Sequence, residues 1–190
     1  IYDATSQPNR EVFNVFQTSL KGYFDRSESW DGYQKNQLLA NQSGRGFVNL
    51  GYLMGVGQEY DGRAVISDDL DNDGRLDLLV VEDRWQEGQL LHVYRNNVKT
   101  NNDWIGLKLI DAAGDNSSLG ATVILNLENG ESRIACVTAG DSIHAQHATN
   151  VHFGLGNDSL VSTLKVRLVS GKEITLQSPE KNRYHRIEIK

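Results

Sequence analysis

Short apolar runs separated by polar turns dominate the chain from about residue 35 onward. Runs such as GRAVIS, LDLLVV, QLLHVY and TVILNL alternate with clusters rich in Gly, Asn, Asp and Ser. This spacing is typical of strands joined by turns, so we predict an all-β protein. In TLKVRLV, the apolar side chains fall on one face and the basic ones on the other, which indicates a strand with one buried side: Leu164, Val166 and Leu168 against Lys165 and Arg167.

Three further stretches predict particular elements. The run LDLLVV at residues 76–81 is apolar at nearly every position, so we expect a strand covered on both faces, as in the interior of a sheet. Asn129-Gly130, between TVILNLE and SRIACVT, predicts a hairpin. Residues 9–24 space their apolar side chains three and four positions apart, which fits an amphipathic helix, although an extended chain also fits.

The length of 190 residues suits one ample domain or two small ones. Asparagines cluster between two strand-like runs at residues 95–104, and we place a domain boundary there. The predicted organisation is an unassigned N-terminal segment with a possible helix at 1–34, a β unit at 35–100 and a second β domain at 101–190.

The charge balance limits the classes of partner. The chain carries 19 Lys and Arg against 25 Asp and Glu, a net charge of −6. This balance argues against nucleic acid or an anionic membrane and favours a cation as the bound species. No run approaches the roughly 20 apolar residues of a membrane span, and the N-terminus lacks the features of a signal peptide. Cys136 is the only cysteine, which excludes an internal disulfide, and its apolar setting predicts a buried strand position.

One acidic turn stands before the apolar run of residues 76–81. Four aspartates occupy positions one, three, five and nine of a short loop: Asp69, Asp71, Asp73 and Asp77. Carboxylates gathered this closely repel one another unless a hard cation lies between them. Ca²⁺ takes six to eight oxygen ligands, Gly74 at position six permits the reversal of the chain, and the carbonyl of Arg75 at position seven adds a further oxygen. We therefore predict a calcium site.

The loop differs from an EF-hand. Position twelve is Val80 instead of a glutamate, and it falls inside the β run. The sequence therefore predicts a strand-borne loop that Asp77 closes, with a structural ion instead of a calcium switch. A solvated acidic turn remains the alternative, because Asp-Asn-Asp-Gly is good turn chemistry by itself.

The stretch DLDNDGRLDLLV resembles the D-x-D-x-D-G-x-x-D loop of FG-GAP and VCBS repeats, the calcium-binding blades of integrin-type β-propellers. The residues that lead into the loop, and LLHVYRNN after it, resemble the neighbouring strands of such a blade. The resemblance implies a propeller-blade-like β unit with a calcium loop.

Residues 102–190 resemble the ASPIC/UnbV domain of the cartilage acidic protein-like family. The matching pieces keep the order and spacing of the family: NDWIGLKL, NSSLGATVIL, SRIACVTAGDSIHAQH, VHFGLGN, LKVRLVSGK and NRYHRI. One departure is the pair Leu168-Val169, where the family usually has Trp-Pro. The alternating strands of this half predict a β-sandwich-like domain with a two-layer core.

The candidates for catalysis are few. Four polar side chains lie together in GDSIHAQH: Asp141, Ser142, His144 and His147. No Gly-x-Ser-x-Gly elbow accompanies them, and nearness in sequence does not create the geometry of a catalytic triad. A zinc site of His144 and His147 with His152 is a further alternative, although a three-residue step in a strand places the two histidines on opposite faces.

The sequence therefore predicts a non-catalytic, calcium-binding interaction module that binds a protein or a glycan partner. The family resemblance implies an extracellular, periplasmic or cell-surface protein with adhesive roles. Trp30, Tyr33 and Trp85 are candidate sugar-stacking residues, although aromatic residues near turns more often belong to a core or hairpin. The alternative is an accessory or catalytic domain of a secreted or biosynthetic enzyme that uses the His/Asp/Ser cluster.

Overall fold

The computed structural model describes residues 34–84, 88–111, 118–140, 144–157 and 159–189. These residues form strands and turns without a helix, which confirms the prediction of an all-β protein. Accordingly, the described part of the chain offers no helix that would be long and apolar enough to cross a membrane. The helix predicted over residues 9–24 lies outside the described residues.

Twelve strands run through the described residues. In chain order they are β1 (Leu39–Asn41), β2 (Phe47–Asn49), β3 (Asp61–Asp68), β4 (Asp77–Arg84), β5 (Gly88–Tyr94), β6 (Asp103–Asp111), β7 (Thr122–Leu127), β8 (Ser132–Cys136), β9 (Asn150–Gly156), β10 (Val161–Arg167), β11 (Glu173–Gln177) and β12 (Tyr184–Ile189).

The chain divides into two compact units, and each unit is made of two separate stretches of the sequence. The first takes in Ile1–Gly62 and Glu82–Leu90, and the second takes in Arg63–Val81 and Leu91–Lys190. The acidic loop therefore belongs to the same unit as β6 to β12. The domain boundary that the sequence predicts at residues 95–104 is a separate matter and remains a prediction.

In the first unit, β1 and β2 form an antiparallel hairpin in which Leu39 pairs with Asn49. The Glu82 side chain is fully buried there, and its Oε1 accepts a hydrogen bond from Asn36 Nδ2 at 2.8 Å. A buried carboxylate needs such partners to offset the loss of hydration.

Strand β4 lies in the middle of a three-stranded sheet with the order β3-β4-β5. This position confirms a central strand over residues 77–81, but Val80 is the only apolar side chain among them that is buried, so the predicted cover on both faces is partial. The strand begins at Asp77, and Leu76 before it remains 38% exposed.

The second unit contains two more sheets. One has the order β11-β10-β7-β8 with antiparallel neighbours, and the other has the order β12-β6-β9, in which β12 runs parallel to β6. The predicted hairpin joins β7 to β8, where Leu127 N donates to Glu131 O at 2.8 Å. Gly130 sits in this turn with a φ of 86°, a backbone conformation that favours glycine.

Buried side chains from these two sheets form one hydrophobic core. Leu164 and Val166 are fully buried and Leu168 is 5% exposed, which confirms the predicted apolar face of this stretch. The core is therefore built from strands that the alternation of polarity already identified.

The prediction that Cys136 is buried is wrong. Cys136 ends β8, an edge strand, and its side chain is exposed. Successive side chains of a strand point to opposite faces, and Ala135 is the residue that packs against the core. The apolar sequence around Cys136 therefore reflects the burial of its neighbour Ala135, and the cysteine itself is exposed.

We expect Leu164→Ala to lower the free energy of unfolding by about 2 to 5 kcal/mol, because it leaves a cavity in a fully buried site. Ile134→Ala, in the same sheet at a side chain that is 66% exposed, is the matched control and should cost about 0.5 kcal/mol or less. Urea denaturation of both variants measures the difference. Equal losses would show that the core does not lie where these strands place it.

Candidate metal centre

The acidic loop connects β3 to β4, and the carboxylate of Asp69 holds its fold. Asp69 Oδ1 accepts a hydrogen bond from Asp73 N and Asp69 Oδ2 accepts one from Gly74 N, both at 2.9 Å. The Asp69 side chain is buried, with 5% of the residue exposed. The two N–H groups offset part of the cost of burying this negative charge.

Three carboxylates of the loop converge. One carboxylate oxygen from each of Asp69, Asp71 and Asp73 lies within 4.8 Å of the other two. Ca²⁺ binds oxygens at 2.3–2.6 Å, so two ligands of one ion lie at most about 5.2 Å apart. The spacing of these oxygens therefore fits a shared calcium ion. Among the described His, Cys, Asp and Glu side chains, these three form the group that meets this condition.

Asp77 lies outside this group. It is buried, and its two oxygens accept backbone hydrogen bonds: Oδ1 from Asn96 N at 2.8 Å and Oδ2 from Leu70 N at 3.2 Å. In this arrangement Asp77 ties the two ends of the loop together. Its role as a ligand, and that of the Arg75 carbonyl, remain predictions.

Two arginines pair with the loop carboxylates. Arg75 Nη2 forms an ion pair with Asp73 Oδ2, and Arg75 Nε donates to Asn96 O at 2.8 Å. Arg95 Nη2 lies 2.6 Å from Asp71 Oδ2 and 3.7 Å from Asp73 Oδ2. The guanidinium groups offset part of the negative charge of the loop. The sequence pattern marks neither guanidinium group as part of the site.

The loop packs on an aromatic cluster of the second unit. A Cβ at Gly74 would lie 2.0 Å from Trp104 Nε1, so only glycine fits between the loop and the indole. Trp104 stacks on His152 at a centroid distance of 5.3 Å and contacts the Tyr184 ring at 4.9 Å. His152 Nδ1 and Tyr184 Oη lie 3.3 Å apart. Three residues that are distant in sequence therefore support the acidic loop.

Burial sets the protonation of two cluster members. It raises the pKa of Tyr184, and the negative charge of Asp69 and the hydrogen bond to its carboxylate raise it further. Burial also lowers the pKa of His152 from its ordinary value of 6.5, against the smaller opposite effect of Asp69 and Asp68. The phenol and the imidazole are therefore neutral at neutral pH.

The other predicted site residues are only partly visible. Trp30, Tyr33 and Trp85, together with Asp141 and Ser142, lie outside the described residues. His144 is exposed, and His147 Nε2 accepts a hydrogen bond from Ser67 N at 3.1 Å. Within the described ranges, no histidine joins a group of three potential metal ligands, so these residues offer no support for the zinc alternative.

Comparison with known families identifies an ASPIC/UnbV domain. Residues 112–190 match the family described as ASPIC and UnbV. The match takes in β7 to β12 and confirms this resemblance for that part of the chain. No curated protein matches the sequence.

We expect Gly74→Ala to destabilise the protein by more than Gly130→Ala. Both glycines have similar positive φ angles, 87° and 86°, so both variants carry the same backbone strain, on the order of 1 kcal/mol or more. Only Gly74 meets a neighbour, because nothing lies within 4 Å of a Cβ at Gly130. Urea denaturation in the presence of chelator measures the excess cost. Equal costs would show that the loop does not pack on Trp104.

We expect the stability of the wild type to fall more steeply between pH 7.5 and 5.5 than that of His152→Phe. The folded state lowers the pKa of His152, so the unfolded chain binds a proton first as the pH drops below about 6.5. The stability from this group is complete above that pH and is lost as the pH falls toward the folded pKa. The added slope from one proton is at most about 1.4 kcal/mol per pH unit. Parallel curves from urea denaturation at each pH would contradict the burial of a neutral imidazole.

Proposed function

We propose that this chain is a non-catalytic extracellular interaction module whose acidic loop binds a structural Ca²⁺ ion. The observation that carries the proposal is the convergence of the Asp69, Asp71 and Asp73 carboxylates within 4.8 Å. The buried Asp69 side chain folds the loop so that these oxygens face one another. Hard oxygen ligands in this number and spacing suit Ca²⁺ better than a transition metal.

The three aspartates would hold the ion, and Asp77 with the Arg75 carbonyl would complete its coordination. The resemblance of DLDNDGRLDLLV to FG-GAP and VCBS loops supports this wider set of ligands. An ion in this loop would neutralise carboxylates that otherwise depend on guanidinium groups, and it would fix the entry to β4.

The ion is proposed to be structural because the loop has little room to move. Gly74 contacts Trp104 on one side, and Asp77 bonds two backbone N–H groups at the start of a central strand. No helix in the described ranges adjoins the loop, so the helix movement of an EF-hand sensor has no counterpart here.

We further propose that residues 35–100 form a propeller-blade-like unit and that the ASPIC/UnbV half is a β-sandwich. The order β3-β4-β5, with the acidic loop before the central strand, supports the first idea. The single core shared by two sheets supports the second. The proposed partner is a protein or a glycan outside the cytosol, in keeping with the two family resemblances and the net charge of −6.

We expect calcium to stabilise the folded chain. Because only the folded chain gathers the loop aspartates, calcium at about 100 times its dissociation constant should add about 2.7 kcal/mol to the free energy of unfolding. EDTA should lower the melting temperature, and Mg²⁺ should restore it poorly because it prefers hydrated octahedral sites. Asp73→Ala should lose the calcium effect, whereas Glu128→Gln, at an exposed turn, should keep it. Thermal melts and titration calorimetry measure these effects.

A variant of Arg95 distinguishes this proposal from the main alternative, in which arginine alone neutralises the loop. Arg95→Gln removes the partner of Asp71 and should strengthen calcium binding, because the ion no longer competes with a guanidinium group. If arginine alone neutralises the loop, calcium will change the stability of neither the wild type nor this variant. That result, with no calcium found by elemental analysis, would overturn the proposal.

A further inference from the structure

A cleft in the second unit lies beside the acidic loop. Its volume is about 250 Å³, and its walls come from the end of β3, the end of β8 and the start of β9. The polar side chains that face it include Ser67, Asp68, His147, Asn150 and His152. None of them belongs to the group of three aspartates that the loop gathers.

The described lining of the cleft has a negative charge that no described lining residue neutralises. Asp68 is the carboxylate among these residues, and they include no lysine or arginine. Asp68 Oδ1 accepts a hydrogen bond from Asp69 N at 2.9 Å, and Asn150 Nδ2 lies 3.4 Å from both Asp68 oxygens. These partners are neutral N–H groups, so they orient the carboxylate without cancelling its charge.

The two histidines of the cleft add no positive charge as they are placed. His147 Nε2 accepts a hydrogen bond from the Ser67 backbone, so this nitrogen carries no proton. Burial lowers the pKa of His152, and the ring is neutral at neutral pH. Carboxylates and phosphates would meet Asp68 without a compensating cation, so the cleft disfavours anions.

The remaining lining suits an alkyl chain that ends in a cation. Leu76 and Ala148 are exposed and line the cleft together with the polar groups, so apolar surface lies beside the carboxylate. Arginine and lysine side chains pack their methylene groups on such surface and place the charged head on an acceptor. A volume of 250 Å³ lies below the range of about 300–1,000 Å³ that is usual for drug-sized ligands, which favours a single side chain.

We propose that this cleft binds the guanidinium group of an arginine side chain from a partner protein, with Asp68 as its anionic acceptor. Guanidinium offers paired N–H donors that match the two oxygens of a carboxylate, whereas ammonium is a point charge with a larger hydration cost. The inference deepens the interaction role proposed above and rests on it, because it names the chemistry of the partner. It does not require an ion in the acidic loop.

The only cysteine of the chain provides a direct readout. Cys136 is exposed and lines the same cleft, so a ligand seated there should shield its thiol. The experiment measures the alkylation rate of the full chain by iodoacetamide in chelator while N-acetyl-arginine amide is added. N-acetyl-citrulline amide, which has the same shape without the charge, is the control ligand. At ten times its dissociation constant, the arginine ligand should slow alkylation about tenfold by mass action, and citrulline should have little effect.

Charge variants test the role of Asp68. Asp68→Asn keeps an oxygen acceptor but removes the charge, and it should abolish protection by the arginine ligand. Glu128→Gln makes the same change in net charge at an exposed turn and should retain protection. Asn150→Lys is a second variant in case Asp68→Asn fails to fold, because it places a competing ammonium group beside Asp68 from another strand. A folded Asn150→Lys protein that the arginine ligand still protects would overturn the proposal.

The same samples separate this proposal from the calcium proposal. Calcium binding without protection by arginine would overturn the cleft proposal alone, and protection in chelator without calcium binding would overturn the structural ion alone. Equal protection by arginine and by a neutral methyl glycoside would overturn the guanidinium assignment in favour of a polyol ligand.

Discussion

The carboxylate of Asp69 is the interaction on which the arrangement of the site depends. It is buried, it accepts hydrogen bonds from two backbone N–H groups of its own loop, and its negative charge adds to the effect of burial in raising the pKa of Tyr184 on β12. One side chain therefore fixes the fold of the loop and places Gly74 against Trp104, on a sheet of the same unit. Removal of the Asp69 carboxylate would leave the N–H groups of Asp73 and Gly74 without their acceptor, so the loop and its contact with Trp104 depend on this side chain.

The negative charge gathered around Asp69 accounts for the two arginines that lie beside the loop, and it is the basis of the proposal that the loop binds a cation. Carboxylates this close repel each other, and the repulsion is screened least at Asp69, the buried member of the group. Arg95 is 62% exposed, so its ion pair with Asp71 is weakened by solvent and salt. A divalent ion among the three aspartates would supply more charge at shorter distance than these guanidinium groups. Arg95 is thus the weaker partner, whereas Arg75, whose side chain is 30% exposed, is also held by the backbone oxygen of Asn96.

Sequence patterns predicted the features that depend on neighbours along the chain. The central place of β4, the Asn129-Gly130 hairpin and the apolar face of β10 followed from local sequence patterns and turn chemistry, and the structure confirms them. The supports of the loop come instead from residues far apart in the chain, such as Trp104 and Tyr184. No local period marks which aromatic side chain will face a glycine 30 residues away. The wrong prediction for Cys136 has a related cause. One face of its edge strand is covered and the other is exposed, and the local sequence does not show which face the cysteine occupies.

Two consecutive aspartates end up facing different surroundings because they stand where β3 stops. Asp68 is the last residue of the strand and lines the cleft, whereas Asp69 begins the loop and accepts hydrogen bonds from the N–H groups of Asp73 and Gly74. The chain leaves the strand between these two residues, so a single Asp-Asp step can contribute to two places. The two sites also differ in the charge that they can neutralise. Three converging carboxylates suit a small divalent ion, whereas one carboxylate beside neutral donors and apolar surface suits a broad monovalent group such as guanidinium. The different number of acids on each side of this backbone step is therefore what distinguishes the proposed ion site from the proposed surface for a partner side chain.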